Sequence, residues 1–121
     1  MGKRILVVDD DTGILEVLTE ILYEYNFDVK AISQGELVFS EANSYHPDLI
    51  LMDVMLSGMD GRNICKSLKA DPQLNQIPII LLSANVNAYS VMFDKGAPND
   101  FVAKPFDMDN LIQRIEVHLA A

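Results

Sequence analysis

Four apolar runs of this chain each end in a polar or charged side chain: Val7-Val8-Asp9-Asp10, Ile50-Leu51-Met52-Asp53, Leu81-Leu82-Ser83-Ala84 and Phe101-Val102-Ala103-Lys104-Pro105. If the runs are parallel strands of one sheet, three carboxylates, a hydroxyl and an ammonium meet at one edge. Oxygen ligands with no His or Cys nearby favour magnesium or manganese over zinc or copper. A carboxylate can also take a phosphoryl group as an acyl phosphate, so Asp53 is the candidate nucleophile. An anionic donor must then approach three acids, and a divalent cation that bridges acids and phosphoryl oxygens removes that barrier. Lys104 adds a point charge for a further phosphoryl oxygen, and Ser83 a hydroxyl donor for another. Taken singly, each residue has a plainer role: Asp9 to Asp11 as a helix cap with favourable dipole charges, Asp53 as a turn residue, Ser83 as a structural hydroxyl, Lys104 as a solvated lysine. Their joint placement at four strand ends is the stronger signal.

Such a site needs elements that bring the ends together, and the chain alternates strand and helix. Strands are expected over Arg4–Asp9, Asp28–Ile32, Leu49–Asp53, Ile79–Ser83 and Phe101–Ala103. Apolar residues at Ile14, Leu15, Leu18, Ile21, Leu22 and Tyr25 have helical spacing over Thr12 to about Tyr25, with Asp11 or Thr12 as its cap. Further helices are expected over Gly35–Tyr45, Arg62–Ala70, Ala88–Asp94 and Asp107–Leu119. Ser57-Gly58 and Asp60-Gly61 mark Met55–Gly61 as a loop. Five strands alternating with five helices predict an α/β, doubly wound, flavodoxin-like parallel sheet covered on both faces. The order 2-1-3-4-5 puts strands 1 and 3 side by side at the ligand crevice, and those strands carry Asp9, Asp10 and Asp53.

Composition narrows the function classes. At 121 residues, half of them hydrophobic, the chain predicts one domain over residues 1–121 with its own core. A formal charge of −9 argues against direct nucleic-acid binding by this domain. The single Cys65 excludes an internal disulfide and common zinc frameworks. Ile5-Leu6-Val7-Val8 stops at a charge and is too short for a signal peptide, and no run approaches a membrane span. A cytoplasmic protein with no membrane partner is expected. His46 and His118 read as surface residues. Cys65 reads as a small buried hydrophobe, and Met52, Met55 and Met59 as packing residues.

Over nearly its whole length the chain resembles the receiver domain of two-component response regulators. The matching residues are Ile5-Leu6-Val7-Val8-Asp9-Asp10-Asp11, Asp48-Leu49-Ile50-Leu51-Met52-Asp53, Gly58-Met59-Asp60-Gly61, Ser83-Ala84, Gly96-Ala97 and Lys104-Pro105-Phe106. The resemblance implies that Asp53 accepts phosphate from the phosphohistidine of a histidine kinase or phosphotransfer protein. It implies a magnesium site with Asp10 and Asp53 as direct ligands, Asp9 acting largely through water, and the backbone carbonyl of Met55 completing the protein ligands. It also implies a switch in which Ser83 moves toward the phosphorylated aspartate and Phe101 turns inward. The Lys104–Pro105 peptide is expected to be cis. Family members often carry Pro where Ser57 stands, so a less rigid loop is expected here.

The expected output is altered contact with a downstream protein, from a monomer or a weak phosphorylation-dependent dimer to which Asp100, Lys95 and Arg114 could contribute. The expected chemistry is self-phosphorylation and self-dephosphorylation, with no turnover of an external metabolite. A magnesium-dependent aspartyl-phosphate hydrolase is the rival enzyme reading, but it usually has a second acid where Met55 stands. A phosphorylation-independent interaction module has no use for the complete polar set. A flavin protein would need a hydroxyl- and glycine-rich phosphate loop where Asp9-Asp10-Asp11 stands. Both a free-standing receiver and a piece of a longer regulator or hybrid kinase fit the sequence.

Overall fold

The computed structural model describes residues 2–84 and 96–120. Five strands form the main sheet: β1 (Arg4–Val8), β2 (Asp28–Ile32), β3 (Leu49–Asp53), β6 (Ile79–Ser83) and β7 (Asp100–Ala103). Their spatial order is β2-β1-β3-β6-β7, all parallel. This is the expected 2-1-3-4-5 order. Between β3 and β6 a short antiparallel hairpin, β4 (Met55–Leu56) and β5 (Met59–Asp60), forms where a loop was expected.

Among the described residues there are four α-helices rather than five: α1 (Thr12–Glu24), α2 (Val38–Tyr45), α3 (Gly61–Ala70) and α4 (Met108–Ala120). The helix expected over Ala88–Asp94 lies outside the described residues. The start of the expected second helix is instead a single 3₁₀ turn, Gly35–Leu37. None of the described helices is long and apolar enough to cross a membrane.

Strand alternation sorts the core into two layers. Leu6, Val8, Ile50, Met52, Ile79, Leu81 and Phe101 pack with Val38 and Ala42 of α2 and Ile64, Cys65 and Leu68 of α3. Ile5, Val7, Leu49, Leu51, Ile80, Leu82 and Val102 pack on the other face with Leu15, Leu18 and Leu22 of α1 and Leu111, Ile112 and Ile115 of α4. Strands buried on both sides explain why these runs are continuously apolar.

Helix ends follow local chemistry. Asp11 caps α1, its carboxylate accepting from the backbone N–H groups of Gly13 and Ile14 at 3.0 and 3.3 Å. Asp60 caps α3 by accepting from the Arg62 N–H at 2.9 Å, and the Arg62 guanidinium clasps the same carboxylate. That guanidinium hydrogen bond holds the Asp60 carboxyl below its ordinary value.

Cys65 is fully buried, as its sequence context predicts, and burial pushes its thiol up to about 11. An unfolded thiol ionises at about pH 8.5. The stability this raised pKa contributes is therefore present below about pH 8.5 and is lost as pH rises through the folded value. Relative to Cys65→Ala, the wild type should lose unfolding free energy across that window, measured by urea denaturation at matched pH.

Candidate functional site at the carboxyl edge of the sheet

Register creates the site. Val8 pairs with Met52, so Asp9 leaves β1 beside Asp53 at the end of β3. Ser83 pairs with Ala103, so Lys104 leaves β7 next to Ser83 at the end of β6. The Lys104 N–H donates to the Ser83 carbonyl at 2.8 Å, and the Lys104–Pro105 peptide is cis, as expected.

Parity then separates the polar groups. Asp9, Asp53 and Lys104 continue the alternation that faces α1 and α4, whereas Ser83 and Phe101 continue the one that faces α2 and α3. The charged groups accordingly meet. The Lys104 ammonium donates to Asp9 Oδ2 at 2.9 Å and lies 3.4 Å from Asp53 Oδ2. Carboxylate oxygens of Asp9, Asp10 and Asp53 all fall within 4.8 Å of one another.

Asp9 and Asp53 are buried, and Asp10 is exposed. Burial, followed by the charge of Asp9, pushes the Asp53 carboxyl above its ordinary value, with Lys104 opposing. Burial alone would lower the Lys104 ammonium, but its hydrogen bond and charge contact with Asp9, and then Asp53, hold it above the ordinary lysine value. The two buried acids, Asp9 and Asp53, thus share one ammonium.

The donor set is all oxygen, and two of its three acids are withdrawn from water. That chemistry fits a hard divalent cation such as magnesium or manganese and not a soft metal. A backbone hydrogen bond from Met55 further steadies the Asp53 carboxylate and places Met55 at the edge of the site.

Asp11 stands apart. Its carboxylate caps α1, as one of the two capping residues expected for that helix. Its backbone N–H donates to Asp9 Oδ1 at 3.0 Å and so helps fix the first acid. Ser83 is buried at 1 % exposure and Phe101 at 4 %. The ring expected to turn inward is therefore already packed in the core on the Ser83 side of the sheet.

Sequence reasoning missed three features of this edge. Ser57 Oγ donates to Asp10 Oδ2 at 2.9 Å across the hairpin turn. Gly61 packs so closely against β3 that a Cβ there would collide with the Asp53 backbone carbonyl. The exposure of Met55, 70 %, and of Met59, 38 %, corrects their assignment as packing residues: the hairpin carries them out to solvent, and only Met52 is core. Glycine at position 61 was visible in the sequence, but as a turn signal rather than a contact.

His118 also differs from its reading as a simple surface residue. Its Nε2 lies 2.9 Å from Asp100 Oδ2, and Arg114 Nη1 donates to the same carboxylate at 3.0 Å. Asp100 is buried at 8 % exposure and draws both groups onto it. Two of the residues considered for a dimer contact, Asp100 and Arg114, are thus paired within the chain, and Lys95 lies outside the described residues.

Fold and site together define a flavodoxin-like α/β domain with an acid cluster and a lysine at the carboxyl edge of its sheet. A model of the response regulator receiver domain family matches residues 5–116, and the chain belongs to that family. The DNA-binding response regulator MtrA of Mycolicibacterium smegmatis is 38% identical over 121 residues, covering 98% of this chain and 51% of MtrA. The chain thus spans about half the length of the curated relatives it matches. A crystal structure from Chloroflexus aurantiacus J-10-fl superposes with a TM-score of 0.92 at 30% identity over 100% of both chains. The signal receiver domain of a signal transduction histidine kinase from Syntrophus aciditrophicus gives a TM-score of 0.89 at 29% identity, covering 98% of this chain and 91% of that one.

Proposed function

We propose that this domain is a phosphorylation-dependent signalling switch whose acceptor is Asp53. The observation that carries the reading is the convergence of Asp9, Asp10 and Asp53 within 4.8 Å with the Lys104 ammonium 3.4 Å from Asp53. In the proposed reaction an Asp53 carboxylate oxygen attacks the phosphorus of a phosphohistidine. The new O–P bond forms as the N–P bond breaks, and the imidazole nitrogen leaves with the electron pair. Asp9, Asp10 and Asp53, with the Met55 carbonyl, would hold magnesium, or manganese in its place. The bound cation would neutralise charge that otherwise repels the phosphoryl group. Lys104 balances the acids and takes one phosphoryl oxygen, and Ser83 takes another. Attack of water on the acyl phosphate would reset the switch without any external metabolite being turned over.

The donor in this reading is a histidine kinase or phosphotransfer protein, as membership of the family implies. Ser83 and Phe101 share one side of the sheet, which supports a readout toward α3 and β7 and on to a downstream protein partner. MtrA is named as DNA-binding. If this chain works within a longer regulator of that kind, a segment outside these residues would make the DNA contact, because the domain itself carries a formal charge of −9. A cytoplasmic setting fits such a pathway.

Incubation with magnesium and a small acyl phosphate should add one phosphoryl group to the wild type. It should add none to Asp53→Asn and none in the presence of a chelator, as read by intact-protein mass spectrometry. A wild type that stays unmodified by both the acyl phosphate and a phosphorylated kinase would refute the proposal.

A further inference from the structure

The three acids are not held alike. Asp9 is buried and fixed by the Lys104 ammonium and the Asp11 N–H. Asp53 is buried, lies beside the same ammonium and is bonded by the Met55 backbone. Asp10 is exposed, and among the described residues the donor that reaches its carboxylate is Ser57 Oγ, 2.9 Å from Oδ2. That contact spans 47 positions of sequence and ties the β4–β5 turn to the end of β1. Gly58, at φ +74°, closes the turn immediately after the serine. A carboxylate held through one oxygen keeps the other for a cation, and such outer partners set the orientation of a ligand as well as its basicity.

We infer that Ser57 is a positioning residue for the cation site, holding Asp10 toward Asp9 and Asp53 before the ion arrives. The inference rests on the magnesium reading of the acid cluster. Its chemistry needs only a hydroxyl at this place, so threonine should substitute for serine and alanine should not.

Isothermal titration of magnesium into the wild type, Ser57→Ala and Ser57→Thr tests it. The alanine variant should bind about tenfold more weakly, the low end of the loss usual for removal of an outer partner. The threonine variant should stay within about twofold of wild type, given the retained donor. Urea midpoints of all three in chelator should agree, because a turn that merely lost stability would move the midpoint and leave the affinity alone. Equal or tighter binding by Ser57→Ala, or equal weakening in both variants, would overturn the role of the hydroxyl while leaving the cation site intact. A wild type that binds no magnesium would instead overturn the cation reading, and this inference with it.

Discussion

Replacing Lys104 by methionine should destabilise the domain by about 2–3 kcal/mol in chelator, and magnesium should restore much of that loss. The side chains of Asp9 and Asp53 are 1 % and 8 % exposed, and Lys104 is the ammonium between them. Removing one partner of a buried ion pair typically costs about 3–5 kcal/mol, because the remaining charge is left uncompensated. Lys104 retains 17 % exposure, and solvent screening lowers the expected cost below that range. Methionine keeps the length of the stem, so lost packing is a small part of the effect.

A divalent cation placed among the same acids supplies the missing positive charge, which is why magnesium should rescue stability. It should not rescue chemistry to the same degree. Loss of a group aimed at developing negative charge commonly slows a reaction by about a hundredfold or more. Phosphoryl incorporation by Lys104→Met should fall on that order even at saturating magnesium. Urea unfolding with and without magnesium, together with incorporation rates, separates the two effects. Wild-type stability in chelator would show that Lys104 does not balance the acids.

The second large effect is expected at Gly61. Its N–H donates to the Val54 carbonyl at 2.8 Å, which seats the start of α3 directly against the chain that follows Asp53. A Cβ at position 61 would run into the Asp53 backbone oxygen and stand 3.0 Å from Val54 Cα. Both obstacles are backbone, so they can yield only by moving β3 or α3. Gly61→Ala should cost about 2–3 kcal/mol, the upper part of the range for overpacking, and should slow phosphoryl incorporation by displacing Asp53.

Gly58 provides the contrast. A Cβ there meets open space, and the φ of +74° is the obstacle. Gly58→Ala should therefore cost only about 1–2 kcal/mol from the left-handed backbone. Equal losses at the two positions would show that crowding against Asp53 is not the cause.

Much of this was legible in the sequence because a sheet buried on both faces writes long apolar runs, and such runs end where water begins. The polar residue closing each run marks the strand end, which assigns Asp9, Asp53, Ser83 and Lys104 to one edge. The bounds of β2, β3 and β6 agree with those read from the sequence for the same reason.

What the pattern could not carry was short or distant. Two-residue strands have no periodicity, so the β4–β5 hairpin reads as a loop. The Ser57–Asp10 contact joins residues 47 apart through a turn whose geometry no local rule fixes. The Asp100–Arg114–His118 cluster depends on how α4 lies over β7, which composition does not record.

The central claim is that the acid at the end of β3 stores the phosphoryl group. Hydride reduction of the phosphorylated chain converts an aspartyl phosphate to the corresponding alcohol, and peptide mass spectrometry then locates it. The account predicts one reduced site, at residue 53, formed only with magnesium. Reduction at another carboxylate, or none in a chain shown to be phosphorylated, would contradict it.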